Sequence, residues 1–501
     1  MTAVGLPRRE LPRRVALQAL VALFVALLVA LVVCLDPIVA TYGWRALPHY
    51  ALSLAAGALG LGLAVLANRT LTWWPARGVG VLAVLFTAGQ FGGLALGPLD
   101  TTEIATFGIA ALWLAQSAVE VRRPIQFSPL YPFNLALMFL AVLALINRPG
   151  LNSYVSLGEK FLLFFLVVDN LRQRSGINAL ARIIVITASA SALVAVAQFL
   201  LFLMFDYQLT IGTPTDNPET FLKPTPFGLM ARPTAFFPNP AGLNDYLLFA
   251  AGLCLFGALE RGRGLARSHW LALLVLMTVA IVLTWSTMAT LALLVMFGLC
   301  YYVHRPSYAI HYTAALFLAG IVAYASGLVA FLYELLQSFG GPAAEVRLSL
   351  LKLAMESLRD HPLIGLGIQN FASVSQNYFP EGPYIYNYPV HNAFVQMATE
   401  LGIFGGLLYA SIVVLVFARL AAATRTCEAQ HRWIVKGMLL GWCGIIFHMM
   451  TEPMAYQATT WLVIGAIEAV LVALRAAPEG ARSQRSLTGA TPHDVRVASG
   501  D

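Results

Sequence analysis

The residues best suited to chemistry in this chain are cations, histidines and aromatics gathered in two polar segments. From Ala343 to Asp360 the spacing predicts a helix, with Glu345, Ser349, Lys352, Glu356, Arg359 and Asp360 recurring on one face. Arg347 falls on the other side, among Leu351, Ala354 and Leu358. An unpaired guanidinium on an apolar face is costly unless an anion meets it. Lys352 and Arg359 therefore read as solvated surface charges, whereas Arg347 requires a partner. That partner is a carboxylate on another helix, the membrane surface reached by snorkelling, or an anionic substrate group. Beyond the helix come His361 to Gly367 (HPLIGLG), Asn370 and Phe371, then Tyr378, Phe379, Tyr384, Tyr386 and Tyr388. Aromatic rings stack on sugar faces and also form the interfacial belt of membrane proteins, and both readings stay open here. His391 follows Pro389 by two residues, just before an apolar helix, where a histidine serves as a helix-end hydrogen-bonding group or as an acid–base group according to its neighbours. An earlier segment rich in Pro, Thr and Asn (GTPTDNPETFLKPTPFGLMARPTAFFPNP) carries Lys223 and Arg232.

The elements that must position these residues are membrane helices. The chain has 501 residues, 59% hydrophobic and only 11% charged, with a mean hydropathy of +0.75, too apolar for a water-soluble globular protein. In lipid each backbone polar group must be paired within its segment, so long apolar runs without strand-like alternation are helices. Fourteen such runs are predicted at 15–35, 50–67, 78–97, 103–121, 131–147, 153–171, 183–205, 241–259, 270–285, 287–303, 309–333, 403–418, 433–450 and 459–474. The short run 50–67 and the pair joined at Ser286 are the weakest, so twelve is the alternative count. The fold class is an all-α polytopic membrane protein. The organisation reads as N-terminal transmembrane helices 1–205, a first outward loop 206–240, central helices 241–333, a large outward loop 334–402, C-terminal helices 403–475 and a polar tail 476–501 without periodicity, expected to be disordered.

Orientation follows from the basic residues, which collect in short cytoplasmic loops. With the N-terminus inside, 23 of the 31 Lys and Arg residues fall on the cytoplasmic side, so both termini are expected there and both polar segments outside. The net charge of +7 then reads as a topology signal and not as a nucleic-acid surface, since no basic stripe interleaved with aromatics occurs. The first apolar run starts Arg-rich but is too long for a signal-peptide core, so it is expected to remain as a helix. None of the five cysteines lies in the large outward loop, and no CxxC or HExxH spacing occurs, so neither a disulfide framework nor a metal site is implied.

Taken in order, three segments resemble the O-antigen ligase and O-antigen polymerase superfamily, bacterial membrane glycosyltransferases. Arg232, Phe237, Asn239, Pro240 and Tyr246 look like its Arg, aromatic, Asn-Pro re-entry motif. Arg347 through His361, Pro362, Gly365, Gly367 and Phe371 are similar to its Arg-helix and His-Pro-x-x-Gly-x-Gly turn. His391 and Asn392, nine residues before Gly402 and then Gly405, resemble the ligase signature. Ala241 stands where a second Asn is usual, and Gly406-Leu407 where ligases often carry two small hydroxyl residues, which bears on ligase against polymerase.

The resemblance implies a GT-C-like enzyme of surface polysaccharide assembly, making O-antigen or exopolysaccharide at the inner membrane with its active site periplasmic. It would transfer a glycan from undecaprenyl diphosphate to a hydroxyl on a glycan or lipid A-core acceptor, as ligase or polymerase, with inversion. Within it, Arg232 and Arg347 become the clamp for the diphosphate leaving group, since Arg stays charged when partly buried and presents a fork to phosphate oxygens. His391 becomes the candidate base or orienting group. Asn239, Asn392, Tyr386, Tyr388, His361 and Glu400 become the candidates for substrate binding. No cofactor is implied. The first outward connections offer only Asp36, Asp100 and Glu103, without Asp-x-Asp spacing, so a metal-free mechanism is expected. Partners would be the lipid-linked glycan, its acceptor, the bilayer and other envelope-polysaccharide proteins, but no nucleic acid. The alternatives are a transporter or flippase, which would show ionisable groups at mid-membrane in two matching halves, and a non-catalytic scaffold, in which the outward arginines are dispensable.

Overall fold

The computed structural model describes residues 74–90, 95–96, 99–119, 126–147, 151–171, 173–209, 221–225, 228–261, 264–327, 343–374 and 389–475. The predicted spans 15–35 and 50–67, the stretch holding Tyr386 and Tyr388, and the tail 476–501 lie outside the described residues. Each of the other twelve predicted spans overlaps a helix, but the span 78–97 ends early, its helix stopping at Ala88 and Ala95–Leu96 forming a strand. The helices are α1 (Trp74–Ala88), α2 (Thr101–Val119), α3 (Tyr131–Ala144), α4 (Leu151–Asn170), α5 (Ser175–Phe205), α6 (Pro240–Phe256), α7 (Leu265–Leu283), α8 (Thr287–His304) and α9 (Ala309–Ala325). After α10 (Ala343–Asp360) and the single turn α11 (Phe371–Val374) come α12 (Ala393–Thr426), α13 (Ala429–Met449) and α14 (Ala458–Arg475). The pair joined at Ser286 is two separate helices, because the Ser286 hydroxyl accepts the Ala289 N–H and starts α8.

Among the described residues, six helices are long and apolar enough to cross a bilayer: α5, α6 with its π-helical extension to Arg261, α7, α8, α12 and α14. The chain is an all-α multi-pass membrane protein. Its outer faces leave Ile186, Leu193 and Leu200 of α5 and Phe317, Leu318 and Ile321 of α9 exposed, as only a lipid surround permits. The core runs along α6 and α14, which are buried for most of their length. There α13 approaches α6 backbone to backbone, and a Cβ on Gly252 would lie 2.4 Å from the Gly437 carbonyl oxygen. Such close approach is how helices gain packing in lipid.

Two features depart from the sequence reading. A four-residue antiparallel pair, β3 (Leu222–Thr225) with β4 (Gly228–Ala231), sits in the loop 206–240, and β1 (Ala95–Leu96) pairs with β2 (Leu99–Asp100). Four residues including Pro224 are too few to show a period of two, so the pair was invisible to patterning. Second, α12 begins at Ala393, so the last residues of the predicted loop 334–402 are already helical, and the helix breaks at Gly402 (φ 76°, ψ 173°).

The break at Gly402 explains the HPLIGLG turn. A helix interrupted there leaves carbonyls of the preceding turn without amides. The turn supplies them: Leu366 N–H donates to Thr399 O and Gly367 N–H to Glu400 O, each at 2.9 Å, while Ile403 N–H reaches Pro362 O at 2.9 Å. Backbones this close exclude side chains. A Cβ on Gly365 (φ 71°) would sit 2.4 Å from the Glu400 carbonyl carbon. Beneath this joint a separate apolar cluster of Leu350, Leu353, Ala354, Leu366, Phe371 and Val390 fastens α10 to the start of α12.

Candidate active site

The connections α5–α6, α7–α8 and α13–α14 meet α10 and the start of α12 at one end of the bundle, tied by hydrogen bonds from Arg232 to Thr284, Arg347 to Glu452 and Asn392 to Met450. Arg232 follows β4 directly, its N–H bonded to Phe221 O at 2.7 Å. The next residues are pinned from inside by the buried Gln198 of α5, whose amide oxygen accepts Thr234 N–H (3.1 Å) and Ala235 N–H (2.8 Å). The Arg232 side chain donates Nε–H to Thr284 O at 3.2 Å, and Lys223 donates Nζ–H to Trp285 O at 2.9 Å. Both carbonyls belong to the C-terminal end of α7, the negative end of its dipole. Trp285 holds a positive φ of 53°, a conformation that is unfavourable for a bulky residue and is found most often where a site over-determines it.

Arg347 finds the partner its position demanded: its Nη2–H donates to Glu452 Oε1 at 2.7 Å. It lies at the edge of the buried face and not on its centre. The face turned inward is Leu350, Leu353, Ala354 and Ser357, whereas Leu351, read as part of the apolar face, is exposed. Lys352, Glu356, Arg359 and Asp360 are exposed, as surface charges should be.

Glu452 is the charge centre of this end. It acts electrostatically on Lys223, Arg232 and His391 as well as on Arg347. Burial pulls Lys223 down to about 8, with Arg232 and Arg347 pushing the same way and Glu452 opposing. Burial also lowers the Arg232 guanidinium from its usual value, opposed by Glu452 and reinforced by Arg347. His391 is lowered chiefly by burial, with Glu452 opposing and Arg347 adding, so its imidazole is neutral at pH 7. Its Nδ1 lies 3.1 Å from Pro389 O. With Nδ1–H donating there, Nε2 is the basic nitrogen. Among the described residues, three cations thus act on the Glu452 carboxylate.

The two asparagines stand at helix starts. Asn239 caps α6, its side-chain oxygen accepting Gly242 N–H at 2.9 Å ahead of Pro240. Asn392 caps α12, accepting Phe394 and Val395 N–H at 3.0 Å each, while its amide donates to Met450 O at 3.0 Å. Both satisfy orphan donors of helices that start at the cluster. Phe237 and Tyr246 anchor the same joint, ring centroids 5.9 Å apart, with the Tyr246 hydroxyl 2.6 Å from Thr187 Oγ1. His361 is exposed at the start of the turn that docks on Gly402, and the buried Glu400 accepts Gln369 N–H at 2.7 Å within that joint.

Sequence reading missed Glu452 and the buried pair Asp245–His448, whose Oδ1 and Nδ1 are 2.6 Å apart. Glu452 is an acid in the short connection between the last two spans, a position that carried a signal had acidic as well as basic residues been mapped onto the outward side. More charge is buried than the sequence suggested: Glu159 with Lys160 and Arg419 with Glu468 also form pairs inside the bundle.

Fold and site together define a multi-pass membrane protein in which, among the described residues, three cations, a carboxylate and a histidine gather where several helices start and end. Residues 272–410 match the O-antigen ligase family, which supports placing the chain in the O-antigen ligase and polymerase superfamily. That segment holds Arg347, the HPLIGLG turn, His391 and Gly402, while Arg232 and Glu452 lie to either side of it. No curated protein matches the chain.

Proposed function

We propose that this protein transfers a glycan from undecaprenyl diphosphate to a hydroxyl acceptor during surface polysaccharide assembly, at the periplasmic face of the bacterial inner membrane, with both termini cytoplasmic. The observation that carries this reading is the gathering, among the described residues, of Lys223, Arg232 and Arg347 around the Glu452 carboxylate, beside His391. Such a surplus of fixed positive charge suits a leaving group on which negative charge accumulates. In the step, the acceptor oxygen bonds to the anomeric carbon as the bond from that carbon to the diphosphate oxygen breaks. The acceptor proton passes to His391 Nε2, and undecaprenyl diphosphate departs against Arg232 and Arg347. A single displacement of this kind inverts the anomeric centre. The N-termini of α6 and α12, capped by Asn239 and Asn392, add partial positive charge from the same side. The buried Asp245–His448 pair would suit a transporter, yet each side chain is held by the other at 2.6 Å, and the 272–410 match favours transfer.

Because cations hold the place of a divalent ion, transfer by the purified protein should survive EDTA unchanged. Abolition by EDTA with rescue by Mg²⁺ or Mn²⁺ would overturn the metal-free reading. The rate should also be bell-shaped in pH. Below the lowered pKa of His391 the base becomes protonated, so activity is lost on acidification, with the acid limb centred under 6.5. Above about 8 the Lys223 charge is lost and activity declines. Lys223→Arg should move the alkaline limb upward, and a limb that stays in place would remove Lys223 from the site. Ligase and polymerase separate in a deletion strain: accumulated long lipid-linked chains indicate a missing ligase, and single repeats a missing polymerase.

A further inference from the structure

At the opposite end of the bundle, the last turns of α12 and α14 and the segments leading into α5 and α13 enclose a cavity of about 290 Å³. Arg174, Arg419, Thr426, Glu428, Leu474 and Arg475 line it. It far exceeds the ~10–15 Å³ that one water needs. Arg419 is 9% exposed and pairs with Glu468, a carboxylate that also accepts the Ser128 hydroxyl at 3.2 Å. Its Nε and Nη2 are buried with no hydrogen-bond partner. Two buried guanidinium donors without acceptors are costly and point to a missing anion. Arg475 lies within electrostatic reach of Arg419, and Arg174 bonds Glu428 and Leu474 O. Among the described residues at this cavity, Arg174, Arg419 and Arg475 outnumber the carboxylates Glu428 and Glu468.

We propose that this cavity binds a phosphate group, held by the Nε/Nη2 fork of Arg419 and by Arg475. A guanidinium fork matches two phosphate oxygens, and a tetrahedral oxyanion turns its remaining oxygens toward Arg475 and the Thr426 hydroxyl. The phosphate comes from an anionic lipid headgroup or from solution, and basic recesses between membrane helices suit the former. The site stands apart from the transfer cluster: α12 runs 34 residues from Asn392 at one end to Thr426 at the other.

The test uses the full-length purified protein in neutral detergent. Thermal stability is followed against inorganic phosphate, with chloride at matched ionic strength as control, and against phosphatidylglycerol, with phosphatidylcholine as control. Saturable stabilisation by phosphatidylglycerol alone identifies a lipid headgroup, by inorganic phosphate alone a free ion, and by both the shared chemistry. Arg419→Lys keeps a cation beside Glu468 but loses the fork, and exposed Arg475→Ala leaves the core intact. Each should fold normally and bind at least tenfold more weakly. The proposal fails if neither ligand exceeds its control, or if both variants are stabilised as well as the wild type.

Discussion

Replacing Arg232 or Arg347 by Ala is expected to lower long-chain surface polysaccharide by about 10²–10³-fold at unchanged protein level, the usual effect of removing one preorganised donor from a developing anion. The physical reason is the scarcity of countercharge. Glu452 already engages Arg347 through a 2.7 Å contact, so the surplus facing substrate rests on Arg232, Lys223 and what Arg347 retains. Arg347→Ala carries a second consequence, since Glu452 would be left without its closest cation and would draw on Arg232 instead. The paired variant Arg347→Ala/Glu452→Gln should therefore be no worse than Arg347→Ala alone. Immunoblotting of membranes alongside polysaccharide quantification reads both effects. Full polysaccharide in either single variant would remove that arginine from the clamp.

The second large effect is on folding. Gly402→Ala should destabilise the protein by about 3 kcal/mol or more, because overpacking and a backbone region open almost only to glycine act together. A Cβ there would meet the Leu363 carbonyl oxygen at 2.1 Å, and that oxygen is backbone with nowhere to move. The loss should appear as a fall of several degrees in Tm and as reduced membrane abundance. Gly298→Ala in α8 is the control, since its added Cβ meets nothing within 4 Å and should leave Tm unchanged or slightly raised. Normal stability of Gly402→Ala would mean that the HPLIGLG turn does not clamp the helix break.

The helices were readable because lipid forces a simple code, an apolar run of sufficient length, and most observed helices follow it within a few residues. The joints were less so. The family resemblance makes Asn239 and Asn392 candidates for substrate binding, and Asn directly before Pro240 and before Ala393 is also a capping signal of the ordinary kind. Glu400, a substrate-binding candidate on the same ground, also accepts the Gln369 N–H where the broken helix meets the turn, a contact between residues 31 apart that no local pattern encodes. Periodicity showed that Arg347 needed a partner but could not name Glu452, which is 105 residues away in sequence. The β3–β4 pair that delivers Arg232 is too short to announce itself.

The central claim is that the cluster of Arg232, Arg347 and His391 transfers glycan from a polyprenyl diphosphate. It is tested most directly in proteoliposomes holding the purified protein, a labelled undecaprenyl-diphosphate glycan and a hydroxyl acceptor. The expected result is labelled acceptor together with released undecaprenyl diphosphate in the wild type, reduced at least 100-fold in Arg347→Ala, the scale of one lost oxyanion donor. Equal product formation by the wild type and Arg347→Ala, or movement of the lipid-linked glycan across the bilayer without transfer, would contradict it.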